Sequence, residues 1–240
     1  MTDQPGSTAP TYELRDGVAV ITLDDGKANA IDFALLDAVH DNLDRAADEA
    51  RAVVIAGRPG KFSAGFNLAL MTEGVDTMRE LVTAGARMLI RLYGFELPTV
   101  TASDGHALAA GALLLLAADV RIGAADTPSK IGLNEVAIGM QLPVFAVELA
   151  RARMPNPATL ERATAQAQLY DPEGAVAAGY LDRVVPSASL LDEAMAEATR
   201  LGELRTGAYR VTKQNLRRQA IDYMEATLAP DMASLTGPAT

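Results

Sequence analysis

DGHALAAGALLLLAADVRI, residues 104–122, is the stretch that decides the fold. From Ala107 to Ala118 it carries no charged residue. A run of about a dozen apolar residues falls short of the ~20 that a membrane-crossing helix needs. Apolar on every side, it fits a helix buried in a core, and the sequence predicts one over 107–118. PTVTASDG (98–105) precedes it and VRIGAAD (120–126) follows it. Both read as strands. Strand, buried helix, strand is the grammar of an α/β protein, whose helices cover its sheets.

The same grammar continues in both directions. YELRDGVAVITLDD (12–25) reads as two alternating strands turning at Arg15-Asp16-Gly17. GKANAID (26–32) leads into a helix with Asp32 as N-cap and Leu35, Leu36, Val39, Leu43 and Ala47 on one face. AVVIAG (52–57) is a short buried strand, GRPGKFSAGFNL (57–68) a loop, and a second long helix runs from Val75 to Tyr93. Downstream, KIGLNEVAIGM (130–140) is strand and loop, with Pro143 as the first residue of the next helix. From Asn156 the pattern is helical, broken by RVV at 183–185. The expected organisation is a disordered arm (1–10), an α/β core (11–155) and a helical C-terminal region (156–240).

Composition removes whole classes of function. The 240-residue chain has no cysteine, hence no disulfide, thiolate metal site or cysteine nucleophile. Its two histidines, His40 and His106, are too few for an imidazole-based zinc site, and no metal is expected. With 49% hydrophobic residues the chain can bury a sizeable core. A net charge of −10 argues against nucleic acid or an anionic membrane as partner. MTDQPGSTAP has no basic segment ahead of an apolar one, so a secretory signal is not expected and the cytoplasm is the expected location.

Two glycine-containing segments invite functional readings. In GRPGKFSAG only two residues separate Gly57 from Gly60-Lys61, so a phosphate-binding P-loop is excluded. Ser63 could be paired with His106 or His40 as a nucleophile, but no strand-to-helix elbow pattern surrounds it. Ser63-Ala64-Gly65 and Ala109-Ala110-Gly111 both place small residues where backbone can be approached closely. Tight packing is one explanation. The other is that a loop N–H and a helix-start N–H converge on one oxygen, an arrangement that stabilises an oxyanion.

AGRPGKFSAGFNLALM (56–71) resembles the first oxyanion segment of the crotonase superfamily, the enoyl-CoA hydratases and isomerases. DGHALAAGALLLLAADVRI resembles the second. GKANAID, KIGLNEVAIGM and AAGYLDRVV (177–185) follow in the order and spacing of that family. The resemblance covers the chain from about Tyr12 onward. It implies the crotonase-like (ClpP/crotonase) spiral of ββα units, with a helical C-terminal region that packs on neighbouring subunits in a homotrimer or a dimer of trimers. It implies an acyl-CoA substrate, with coenzyme A as part of that substrate and no separate cofactor. Carried over by position, the oxyanion donors would be the N–H groups of Phe66 and Ala110. The family usually has glycine at the second, but alanine keeps the donor. Lys27, Ala28, Ala30, Ala64 and Leu68 would lie along the coenzyme. Lys27 reads equally well as a solvated lysine. Lys213 is a further candidate for the coenzyme phosphates, whereas Arg217 and Arg218 read as a solvated helix face.

The carboxylates separate the possible chemistries. Family hydratases use two glutamates, and Glu135 matches one of them. Leu113 stands at the other and cannot carry a proton. Glu135, among Leu133, Val136, Ala137 and Ile138, would have a raised pKa suited to proton transfer near neutrality. Its plainer reading is an exposed loop glutamate. One base suffices for Δ3,Δ2-enoyl-CoA isomerisation, and family isomerases carry a lone glutamate in such an NE segment. Hydration asks for more, with Glu73 or Asp76 folding over the site as a possible second acid. His106 and His40 read as packed side chains. Two alternatives stand beside this enzyme of fatty-acid metabolism: a non-catalytic acyl-CoA binding protein and an acyl-CoA thioester hydrolase.

Overall fold

The computed structural model describes residues 9–237, so the expected arm lies outside the described residues except for Ala9 and Pro10. The chain opens with a hairpin of β1 (Thr11–Arg15) and β2 (Val18–Thr22). Asp16 and Gly17 join them with φ of 50° and 80°, the left-handed pair that a two-residue turn of this hand requires. β3 (Ala30–Ile31) follows, then α1 (Phe33–Glu49). Asp32 caps α1 by accepting from the Leu35 N–H at 2.9 Å, leaving one fewer unpaired donor at the helix start. Its buried stripe is Leu35, Leu36, Val39, Leu43 and Ala46; Ala47 sits beside the core.

β4 (Ala52–Ala56) is buried along its whole length. The stretch expected as a loop then contains two short strands, β5 (Lys61–Ser63) and β6 (Gly65–Phe66). A short helix, α2 (Leu68–Glu73), precedes α3 (Val75–Tyr93). β7 (Thr99–Ser103) leads to β8 (His106–Leu108) and then α4 (Ala110–Ala117). The buried helix therefore starts three residues later than its composition predicts. β8 is paired on both sides, by β5 and by the strand β10 described next. The two sets of strand hydrogen bonds outweigh the helix preference of Ala107 and Leu108. The switch falls at Ala109, a non-glycine residue at φ 49°.

β9 (Val120–Ala124) and β10 (Ile131–Gly132) precede α5 (Val144–Arg151). Pro143 is the extended residue ahead of α5, not its first helical residue. The Val144 N–H at that helix start is held by the Asp231 side chain at 2.6 Å. The C-terminal part comprises α6 (Pro157–Ala163), α7 (Pro172–Ala178), β11 (Arg183–Val185), α8 (Leu190–Gly202) and α9 (Thr206–Ser234).

Among the described residues the strands form three sheets. The largest has strand order β1-β2-β4-β7-β9-β11, parallel from β2 onward; the others are β10-β8-β5 and β3-β6. In chain order, one strand enters the large sheet, a short strand enters a small sheet, and a helix follows. This ββα turn occurs with α1, with α2–α3, with α4 and with α5. Each turn delivers the end of a short strand and the start of a helix to the same side of the molecule. β11, from beyond residue 155, forms the last strand of the large sheet, and α8 covers that sheet with Leu190, Ala194, Ala198 and Leu201.

α9 is fastened by a buried ionic cluster. Asp119 accepts from Lys213 Nζ at 2.7 Å, the Tyr209 hydroxyl at 2.8 Å and the Thr99 N–H at 2.8 Å, and pairs with Arg217 at 2.8 Å. Lys213 and Arg217 are each 6% exposed. Two sequence expectations change here. Arg217 is not on a solvated face, because it also donates to the Tyr93 carbonyl inside the fold. Lys213 is not free to hold a phosphate, because its ammonium is committed to Asp119 and the Leu97 carbonyl. Arg218 is exposed, as expected.

Candidate active site

Small residues bring two backbone segments into contact. Gly65 has φ 88°, and a Cβ placed on it would lie 2.9 Å from both the Ala109 Cβ and the Leu108 carbonyl oxygen, and 3.2 Å from the Ala110 nitrogen. A Cβ on Gly111 would meet the Ser63 carbonyl oxygen at 2.4 Å. Glycine at these positions is therefore what lets β6, through Gly65, and β5, at Ser63, lie against the start of α4. Ala110 is the first residue of α4, so its N–H has no acceptor within the helix. Just after β6 the Asn67 N–H donates to the Ile31 carbonyl at 2.9 Å, toward β3. Strand alternation turns the Phe66 N–H the opposite way.

Sequence reasoning missed the residue that shapes this corner. Asn29 is fully buried at φ 51°, and its side-chain amide donates to the carbonyls of Leu23 at 2.8 Å, Phe62 at 3.1 Å and Lys61 at 3.2 Å. The Ser63 hydroxyl donates to the Asn29 carbonyl at 2.7 Å and accepts from the Gly65 N–H at 3.2 Å. Ser63 is thus a buried tie between segments. Neither histidine serves it: His106 Nδ1 accepts from the Lys130 N–H, and His40 Nδ1 lies 2.9 Å from the Arg91 guanidinium. Burial and the neighbouring cations Lys61 and Lys130 for His106, and Arg91 for His40, push both imidazole pKa values down. The asparagine between GKA and AID, in a run of small residues, was the available signal.

A cavity of about 310 Å³ opens beside the two backbone segments. Ala64, Phe66, Leu68, Leu108 and Ala109 line it; Met71, Val82, Leu113, Met140, Phe145 and Leu235 supply apolar walls; Asn134, Glu135 and Gln141 supply the polar ones. Glu135 is not the exposed loop glutamate of its plainer reading. Its Oε2 is buried without a hydrogen-bond partner, and burial raises the pKa from 4.5 to about 7, against a smaller opposing pull from the backbone N–H groups of Glu135 and Asn134. Leu113, 2% exposed, faces the same cavity. A larger open groove of about 970 Å³ runs between α1, α3 and α9, lined by charged side chains such as Asp44, Arg87 and Arg218.

The remaining sequence candidates divide. Lys27, Ala28 and Ala30 are not among the cavity-lining residues, although Ala30 pairs with Gly65 and the Ala64 N–H donates to the Ala28 carbonyl at 2.9 Å. Lys27 is exposed, and Leu68 is 66% exposed at the rim. Lys213 is not among the cavity-lining residues. Glu73 and Asp76 are exposed and line no part of the cavity. Among the described residues no cluster of three or more His, Asp or Glu side chains is placed to hold a metal ion. Nor is any of their helices long and apolar enough to cross a membrane.

A solved structure of an enoyl-CoA hydratase/isomerase family protein from Pseudomonas syringae shares 39% identity, with a TM-score of 0.92 over 96% of this chain and 99% of that one. An enoyl-CoA isomerase of Mycobacterium tuberculosis shares 33%, with a TM-score of 0.90 over 95% of this chain and all of the other. The wound ββα turns and helical C-terminal region match these throughout, and this is the crotonase fold. A family model described as enoyl-CoA hydratase/isomerase matches residues 13–237, and the chain belongs to that family. A putative enoyl-CoA hydratase of Thermus thermophilus is 34% identical over 170 residues, 69% of this chain and 66% of that protein. A glyoxysomal fatty acid β-oxidation multifunctional protein of Brassica napus is 30% identical over 79% of this chain but only 27% of its own length. The chain thus spans less than two thirds of the length of these relatives.

Proposed function

We propose that the protein is an acyl-CoA enzyme that moves a double bond from the 3 to the 2 position of an enoyl thioester. The observation that carries this reading is Glu135, whose buried Oε2 has no hydrogen-bond partner, in an apolar cavity against two backbone segments held together by Gly65 and Gly111. The ionised carboxylate takes a proton from C2, and the electron pair moves toward the thioester oxygen. The N–H groups of Phe66 and Ala110 hold that oxyanion, each contributing about 3–4 kcal/mol. Glu135 then returns the proton to C4, the double bond settles between C2 and C3, and the carboxylate is regenerated. No second acid is required, which accommodates Leu113. The coenzyme A portion lies along Lys27, Ala28, Ala30, Ala64 and Leu68. Family members named hydratases keep hydration as the second reading. The homotrimer and the cytoplasmic location remain part of the proposal.

The test is a pair of assays on purified protein with a 3-enoyl-CoA and with crotonyl-CoA, each repeated with Glu135→Gln. Isomerisation well above hydration, and lost in the variant by about 100-fold or more, supports the reading. Hydration faster than isomerisation overturns it. Thioester cleavage, or binding with no turnover of either substrate, replaces it with the hydrolase or the carrier.

A further inference from the structure

Glu135 has to be held as well as buried, and part of the hold comes from outside the cavity. Downstream, the Glu135 carbonyl accepts from the Ile138 and Met140 N–H groups at 3.0 and 2.9 Å, which closes a tight turn. Upstream, the Leu133 N–H donates to the Tyr180 hydroxyl at 3.3 Å. That hydroxyl donates in turn to the Ala163 carbonyl at 3.3 Å, so one oxygen bridges the base-bearing segment and the end of α6. Tyr170 braces the same place: its backbone exchanges two hydrogen bonds of 2.9 Å with Ile131, and its ring lies 5.8 Å from that of Tyr180. Neither tyrosine lines the cavity. Leu133 and Tyr180 are both fully buried, so water cannot take the place of the phenol oxygen. A buried N–H left without an acceptor costs about 1–3 kcal/mol, which the chain relieves by shifting the segment. Glu135 stands two residues further on, and a displacement of about 1 Å can cost a reaction roughly 100-fold.

We propose that Tyr180 is a positioning residue for the reaction: its hydroxyl fixes the Leu133–Glu135 segment and so the direction in which the carboxylate enters the cavity. The proposal rests on the reading of Glu135 as the base. It gives the C-terminal region a part in the site, since Tyr180 and Ala163 both lie beyond residue 155. The phenol exchanges no proton with the substrate. Burial above all, against a smaller pull from the Leu133 N–H, pushes its pKa above the ordinary 10. It therefore stays neutral, an acceptor toward Leu133 and a donor toward Ala163.

The experiment is Tyr180→Phe, which keeps the ring and removes the oxygen, read in two ways. The first is a carbon NMR titration of the Glu135 carboxyl, assigned by its loss in Glu135→Gln. The wild-type midpoint is expected near 7, and the variant's about one unit lower, because a loosened segment lets water reach the carboxylate. The second is turnover of a 3-enoyl-CoA, where kcat is expected to fall about tenfold while KM changes by less than roughly twofold. A midpoint that does not move in the folded variant, or a lower urea midpoint with kcat unchanged, would overturn the positioning role and leave Tyr180 a packing residue. Absence of wild-type turnover would overturn the isomerase reading instead, and the titration would still decide whether Tyr180 holds Glu135.

Discussion

Glu135 carries a penalty that is visible in stability as well as in chemistry. Its folded pKa of about 7 lies above the ordinary 4.5. Between those values the native state holds a proton that the unfolded chain has released, so stability falls as pH rises through the window. Well above pH 7, from about pH 8, the penalty is complete, at roughly 3 kcal/mol. Glu135→Gln is therefore expected to raise the unfolding free energy by about 2–3 kcal/mol at pH 8 and to change it little at pH 4, read by urea denaturation at both. Gly65 tests the backbone site. In Gly65→Ala the added methyl at φ 88° has to displace Ala109 or the Leu108 carbonyl, separating the two donor segments. Turnover of a 3-enoyl-CoA is expected to fall by about 100-fold or more, measured as kcat.

At the scale of elements, the telling part is the junction of β8 and α4. Composition predicts the buried apolar helix but starts it at Ala107, because ALAA has a helix former's composition, whereas α4 starts at Ala110. Hydrogen bonds from two partner strands, invisible in local composition, decide otherwise. Residues whose role is local were legible: the Asp32 cap and the limits of α3. Residues whose role depends on distant partners were not. Lys213 and Arg217 read as surface cations because their partner, Asp119, stands some ninety residues earlier in the chain. Burial works against the charge of Asp119, yet Lys213 and Arg217 hold its pKa below the ordinary carboxylate range. Removing it leaves buried cations unpaired beneath α9. Asp119→Ala is expected to destabilise the protein by about 3–5 kcal/mol, seen as a lower urea midpoint.

Across the whole molecule, the segment that ends α9 also closes the cavity. Leu235 lines it, Asp231 caps α5, and Arg79 donates to the Leu235 carbonyl at 3.1 Å. The far side of α9 stays open to solvent, with Leu216 80% and Tyr223 51% exposed. Those apolar side chains suit the proposed trimer, which sedimentation should report as a species of three times the chain mass; a monomer at micromolar concentration would contradict it. The order of the ββα turns could be read from alternating strand and helix patterns. The meeting of Gly65 with Ala109 and Ala110 could not, since it depends on how successive turns stack. The central claim is that Glu135, poised near neutrality by its cavity, is the base of the reaction. The most direct measurement is kcat/KM for a 3-enoyl-CoA from pH 5 to 9. A rise through a single ionisation near pH 7 to a plateau is expected, with no such rise in Glu135→Gln. A flat profile, or a break near 4.5, would contradict it.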